Sequence, residues 1–318
     1  MFRIQNVLVI ALLLGNFIFG SYGAGYGGAS FRYGVDARQV ALAGAMVAEP
    51  QPGFNQFANP ALITTTRGNQ VGMSFFFMSL DRSIQVISYN RFLPPKGAVG
   101  LAIYRAGINN IQGRDLAGHK LETYETSDMY GMLSFGLQFT DHVAGGFNVR
   151  AFYSELTDDV NGSGIALDAG VLAQVGPRLK FGLRIENLLG QLTWNEEGGN
   201  AEDTFPSTLS VGGSFILNSQ MNIMAQWDMV SSPDQDSESR LRTGIEGRVM
   251  QNAFWRVGFS VSQELASDGK DTTVITPVLG AGFDHNLGQL GPARLDYALD
   301  LGVRQQGLSH LFTWYFSF

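Results

Sequence analysis

The sequence predicts an all-β protein: a transmembrane antiparallel β-barrel of the outer-membrane kind, about 14 strands, with an N-terminal segment as a luminal hatch or plug. Three observations predict it. From about residue 70 to the end, apolar and polar residues alternate with period two in blocks of roughly ten to thirteen residues. The links between those blocks alternate short and long. The composition is 45% hydrophobic and only 15% charged, with 40 glycines, 23 Phe and 10 Tyr, whereas an ordinary soluble domain carries about 25% charged residues. No internal run reaches the roughly 18 apolar residues a membrane helix needs, so strands are the expected means of crossing. A formal charge of −7 disfavours nucleic acid and anionic membrane surfaces as partners. The chain has no cysteine, which excludes disulfides, thiolate metal sites and Cys nucleophiles.

In chain order, residues 1–23 read as a secretory signal. Arg3 supplies the positive start, Val7 to Phe19 the apolar core, and Ser21 and Gly23 the small residues before a cut near Gly23. The expected location is the outer membrane of a diderm bacterium, with outer-membrane lipid around the barrel.

Residues 24–66 form the expected hatch and 67–318 the barrel. The stretch from Phe31 to Ile63 is rich in Ala and Gly and does not alternate. Asp36 can N-cap a short helix running towards Ala48, which Gly44 weakens and Pro50 and Pro52 terminate. Pro60 biases Asn59 away from helical angles, so Asn59-Pro60-Ala61 is a turn or rigid bend. Fourteen strands enclose more space than their own side chains fill, and the lumen is the natural place for such a segment.

The blocks cover about 70–80, 83–93, 97–106, 128–140, 142–155, 164–175, 178–187, 205–217, 220–229, 239–250, 252–264, 272–285, 292–304 and 308–318. In the block from Arg240 to Val249, Leu241, Thr243 and Ile245 face one way and Arg242, Gly244 and Glu246 the other. The first two blocks are apolar on both faces, as expected where an inner face touches a plug. Short links such as Pro94-Pro95-Lys96 and Gly176-Pro177 alternate with longer polar loops at 107–127, 156–163, 188–204, 230–238 and 265–271. Tight periplasmic turns and longer external loops produce that alternation. The last strand sets Phe312, Trp314, Phe316 and Phe318 on one face, which resembles the C-terminal signal for barrel assembly.

Ala37-Arg38 with Ala43 to Ala48, followed by Phe57-Ala58-Asn59-Pro60-Ala61-Leu62, resembles the N-terminal signature of the PorV/PorQ proteins, relatives of the FadL fatty-acid channels. The likeness extends to Ser83–Tyr89, Ile111-Gln-Gly113 and Glu186-Asn-Leu-Leu-Gly190. It implies a fourteen-stranded outer-membrane barrel with a luminal N-terminal segment. Some members of that branch serve type IX secretion, where PorV carries exported proteins. Where the family has an acidic pair between its two motifs, this chain has Glu49-Pro50-Gln51-Pro52-Gly53.

The inward face carries a charged lining that includes Arg150, Arg184, Glu186, Arg240, Arg242, Glu246, Arg248, Asp296 and Asp300. Its mixed signs favour cross-strand ion pairs bracing barrel and hatch over a selectivity ring, which would show one sign. Pro277 falls inside a strand, where the missing N–H marks an ordinary bulge or a lateral gap for a hydrophobic ligand. Asp158, Asp159, Asp234, Asp236 and Glu238 read as solvated loop acids, because no glycine stands at a calcium-loop turn position. No Gly-x-Ser-x-Gly elbow or catalytic triad is present, and neither an enzyme nor a cofactor is expected. Two functions compete. The first is a PorV/PorQ-type barrel that binds or presents secreted cargo proteins or secretion-system components. The alternative is a FadL-like channel for uptake of hydrophobic small molecules.

Overall fold

The computed structural model describes residues 27–157, 160–196, 199–232, 235–265, 271–288, 291–301 and 308–318. The expected signal peptide, Asp158, Asp159 and Asp234 lie outside the described residues. The described strands are β1 (Asn69–Phe77), β2 (Arg82–Leu93), β3 (Gly97–Arg114), β4 (Lys120–Gln138), β5 (Val143–Thr157), β6 (Val160–Val175), β7 (Leu179–Glu196), β8 (Gly199–Thr204), β9 (Ser207–Asn218), β10 (Met221–Ser232), β11 (Gln235–Met250), β12 (Ala253–Leu265), β13 (Asp271–Asn286), β14 (Pro292–Asp300) and β15 (Ser309–Ser317). Each pairs antiparallel with its neighbours, and β1 pairs with β15. The sheet therefore closes into a fourteen-stranded barrel, with β8 as an extra short strand.

Closure leaves no sheet edge, which is what lets strands cross lipid. Phe75, Ile103, Leu133, Phe181, Val211, Phe259 and Leu295 are exposed on the outer wall, while their strand neighbours point inward. Asn69 and Phe318 exchange backbone hydrogen bonds at the end with the short turns, which is periplasmic by the loop-length rule.

Four expected external loops are largely strand. Residues 107–127 continue β3 and β4, pairing through Gly107↔Ser127 and Ile111↔Tyr124, and 188–204 continue β7 and form β8. Most of 156–163 belongs to β5 and β6, and most of 230–238 to β10 and β11. Beyond the bilayer both strand faces meet water, so the apolar alternation vanishes although the backbone ladder does not.

The hatch enters the lumen as a 3-10 turn, Ala29–Arg32, then a short helix, α1 (Ala37–Ala41), a second, α2 (Asn55–Ala58), and a 3-10 turn, Pro60–Thr65. Asp36 caps α1 by accepting from Gln39 N, and the chain turns left-handed at Ala43 and Gly44. The helix is thus shorter than the apolar spacing allowed. Its floor is a ring of inward glycines, one from most strands. A Cβ on Gly72 would meet Phe54; on Gly100 or Gly136, Ile63; on Gly146, Pro60; on Gly170, Asn59. On Gly182 or Gly212 it would meet Val47, on Gly244 Leu42, on Gly258 Ala43 and on Gly280 Ala41. Backbone-to-backbone approach of this kind is what the missing side chains allow. Phe76, Ile84 and Val86 pack in the same core cluster as hatch residues Ala37, Phe54 and Phe57, which accounts for the apolar inner faces of the first two strands.

A methyl at the floor has nowhere to go without moving the hatch. Gly170→Ala and Gly182→Ala should each destabilise the hatch by about 1–3 kcal/mol, the usual cost of overpacking. Hydrogen exchange of hatch amides measures this. Gly131→Ala, where an added Cβ has nothing within 4 Å, should leave exchange unchanged.

Candidate functional site

The site has three parts: a charged bolt that holds the hatch, a cavity above the hatch, and a break in the wall beside the cavity.

Asn59 is the pivot of the hatch. Its side chain accepts from Ala61 N at 3.0 Å, and its Nδ2 donates to Val47 O, Val171 O and Leu183 O at 2.8, 3.1 and 3.3 Å. One side chain thereby fixes the Asn59-Pro60-Ala61 bend and ties two hatch segments to β6 and β7. Arg38 is the bolt. Its guanidinium pairs with Glu246 on β11 through two contacts of 2.7 and 2.8 Å and also donates to Pro50 O and Gln51 Oε1. Arg256 continues the chain, 2.6 Å from Glu246 and 2.7 Å from Asp296. Glu49 meets Arg38 at 3.2 Å, Lys180 at 3.5 Å and the Ser214 hydroxyl at 2.6 Å. Glu49 and Gln51 thus join the network.

The remaining predicted lining residues are distributed around the wall. Arg150 lies 2.6 Å from Asp168, and Arg184 pairs with Glu186 at 2.9 Å while donating to Phe57 O. Arg242 pairs with Asp228 at 2.7 Å, and Arg240 stands in register with Asp228. Arg248 is exposed and lies 5.1 Å over the Phe254 ring, and Asp300 is half-buried at the end of β14. Opposite charges pair across neighbouring strands in Arg150–Asp168, Arg242–Asp228 and Arg256–Glu246 and along β7 in Arg184–Glu186, and no ring of one sign forms among these residues. Among the described residues no cluster of His, Asp or Glu has the make-up of a metal site.

Above the hatch lies a cavity of about 350 Å3, walled by Phe31, Tyr33, Met78, Ile84, Ala106, Ile108, Leu156, Leu192 and Trp194. Phe31 sits among Tyr104, Tyr130, Phe152 and Phe205, with ring centroids 4.8–6.3 Å away, and Tyr104 and Tyr130 stack at 4.8 Å. Arg82 at the rim donates to Ser79 O and Tyr33 OH. Apart from Gly28 to Phe31 and Tyr33 at the start of the hatch, the cavity is lined mainly by outer continuations of the strands that hold the hatch.

The wall breaks beside this aromatic floor. The lower half of β7 pairs with β9 as far as Glu186↔Thr208, and the upper half pairs with β8 from Gln191↔Thr204. Between them Asn187 and Leu189 have positive φ, 60° and 55°, and Pro206 interrupts the facing strand. A leucine in the left-handed region is held there by its surroundings. Only two bonds cross the break among the described residues: Phe205 N to Gly190 O at 2.9 Å and Asn187 Nδ2 to Pro206 O at 2.8 Å. Arg150 and Asp168 secure the inner lip, donating to Asn187 Oδ1 and accepting from Asn187 N.

Pro277 does not mark such a break on its β12 side, where the ladder runs unbroken through Phe259↔Pro277. Towards β14 the described pairing begins at Val278↔Asp300, and residues 302–307 lie outside the described residues. The sequence signals for the break in β7 are Asn187 and Gly190 inside a strand and Pro206 opposite them. A break of this kind shows only when both strands are in register.

No family model and no curated protein sequence matches the chain. Solved structures do. A CymD monoaromatic hydrocarbon channel superposes with a TM-score of 0.66 at 13% identity, covering 90% of this chain and 98% of that one. The toluene transporter TodX of Pseudomonas putida gives 0.63 at 12%, with the same coverage. A FadL homologue of Pseudomonas aeruginosa gives 0.60 at 12%, covering 88% and 97%. The chain shares the closed antiparallel barrel fold of these proteins, two of which are named as a channel and a transporter.

Removing one partner of the bolt strands a buried charge, which typically costs about 3–5 kcal/mol, more than the pair itself contributes. Arg38→Met should therefore loosen the hatch strongly, and adding Glu246→Gln should recover part of the loss. Protease cleavage of the hatch in the purified barrel, run as a double-mutant cycle, gives the coupling; additive effects would dispose of a direct Arg38–Glu246 bond.

Proposed function

We propose that the protein is a FadL-like channel for hydrophobic small molecules, which enter the cavity from outside and leave sideways through the break in the wall. The carrying observation is the adjacency of three features: an apolar cavity, a tightly seated hatch below it and an interrupted ladder beside it. A ligand pocket is expected to be concave and mostly apolar, with a few polar groups. The cavity has that make-up. Downward passage would require the hatch to leave its glycine ring and the Arg38 bolt, whereas sideways passage requires two hydrogen bonds to part and Phe205 to move.

The names of the structural relatives, a toluene transporter and a monoaromatic hydrocarbon channel, support the same class of cargo. The reading as a PorV/PorQ-type barrel presenting secreted proteins rests on the sequence resemblance alone, and we rank it second. The outer-membrane lipid is the medium into which the break opens.

A chain without cysteine allows a clean test. Directly opposed antiparallel residues have Cα atoms about 4.5–5.5 Å apart, within disulfide range. Gln191→Cys with Thr204→Cys, and Ile185→Cys with Leu209→Cys, would staple the wall above and below the break. With naphthalene as the apolar probe, the oxidised double staple should reduce uptake by cells making the barrel nearly to that of cells lacking it. Reduction should restore it. Equal uptake in both redox states would exclude the lateral route.

A further inference from the structure

One corner of the cavity is used by neither the hatch nor the charged bolt. We propose that this corner, Asp128 with Ser154, makes the channel selective for small ring compounds that carry a hydrogen-bond donor, a hydroxyl or an amine, over carboxylates and bare hydrocarbons. The inference rests on the ligand-site reading of the cavity given above.

Asp128 on β4 and Ser154 on β5 are directly opposed in register, and both line the cavity. Two residues further in on the same strands stand Tyr130 and Phe152, both buried, so the polar corner lies one step above the aromatic floor. Ser154 is 1% exposed, yet its hydroxyl has no hydrogen-bond partner among the described residues. A hydroxyl that lines a cavity without a partner in the protein is open to one from a ligand. Asp128, half-buried, likewise makes no hydrogen bond or ion pair among the described residues.

The cation that lines the cavity does not neutralise this corner. Arg82 is already directed to Ser79 and Tyr33. Glu155, exposed at the rim beside Ser154, adds a second carboxylate. An ionised carboxylate accepts hydrogen bonds and donates none. A hydroxyl or ammonium head is therefore matched, a carboxylate head meets like charge, and a bare hydrocarbon leaves both polar groups unanswered. Size follows from the walls. An apolar cavity of about 150 Å3 takes up benzene, so about 350 Å3 suits a body of roughly two rings.

The test is a matched series titrated calorimetrically into the purified, detergent-solubilised full chain: naphthalene, 2-naphthalenemethanol, 2-naphthylmethylamine and 2-naphthoate. The alcohol and amine should bind about tenfold or more tighter than naphthalene, as expected for a hydrogen bond to a charged group. The naphthoate should bind weakest. Asp128→Leu should reduce alcohol and amine to the affinity of naphthalene, and Ser154→Ala should weaken the alcohol. The wild-type series decides alone if a variant fails to fold. Naphthalene binding as tightly as the alcohol and amine, or naphthoate binding best, would overturn the selectivity while leaving the ligand site in place. Binding of none of the four would overturn both.

Discussion

Close approach of the hatch backbone to the barrel wall is the constraint on which the other features depend. Ten inward glycines leave a floor smooth enough for the chain from Ala41 to Ile63 to lie against the strands, with backbone at Gly146, Gly182 and Gly258 and with hatch side chains at most of the others. Contacts that short make the interface stiff, since a dense interior has little freedom to rearrange. They also bury hatch peptide groups, which must find partners inside the protein. Asn59 supplies partners for two of them, Val47 O and Ala61 N, and Arg38 reaches the carbonyl of Pro50. The ion chain Arg38–Glu246–Arg256–Asp296 follows from the same geometry: charges removed from water persist only when paired.

A floor seated in this way divides the barrel into two halves with different physics. The periplasmic half is packed, polar at its charged bolt and closed by glycine contacts. The outer half keeps the space that the hatch does not fill, lined by outer parts of the same strands and by the start of the hatch around Phe31. The break at Asn187–Gly190 and Phe205-Pro206 lies at the boundary. Its inner lip is held by Arg150 and Asp168, which belong to the luminal charge network. The residues that brace the barrel thus also set the shape of the break between β7 and the β8–β9 side.

Much of the architecture was legible in the sequence because its signals are local. Period-two alternation in lipid requires an apolar outer face, so Leu241, Thr243 and Ile245 betray a strand without knowledge of its neighbours. Asp36 as a helix cap and Asn59-Pro60 as a bend are also local choices, and the structure has both. The mixed-sign lining suggested ion pairs, and the partners now seen for Arg150, Arg184, Arg242 and Glu246 have that character. Strand ends were not legible. From Gly107 to Ser127 the chain is wet on both faces and carries no alternation, yet pairs as a hairpin arm.

The sequence by itself determined the class of fold and the identity of the segment that had to go inside. Those follow from side-chain chemistry repeated along one strand or one turn. Tertiary structure alone decided which glycines face which hatch atoms, which acid answers Arg38, and where the wall opens. Each of these depends on residues more than a hundred positions apart, or on the register between two strands, and a shift of one residue would turn every side chain of a strand to the other face. Pro277 shows the difference: its missing N–H was plain in the sequence, but the ladder on its β12 side passes through it unbroken, while the interruption arises where Asn187 and Pro206 meet.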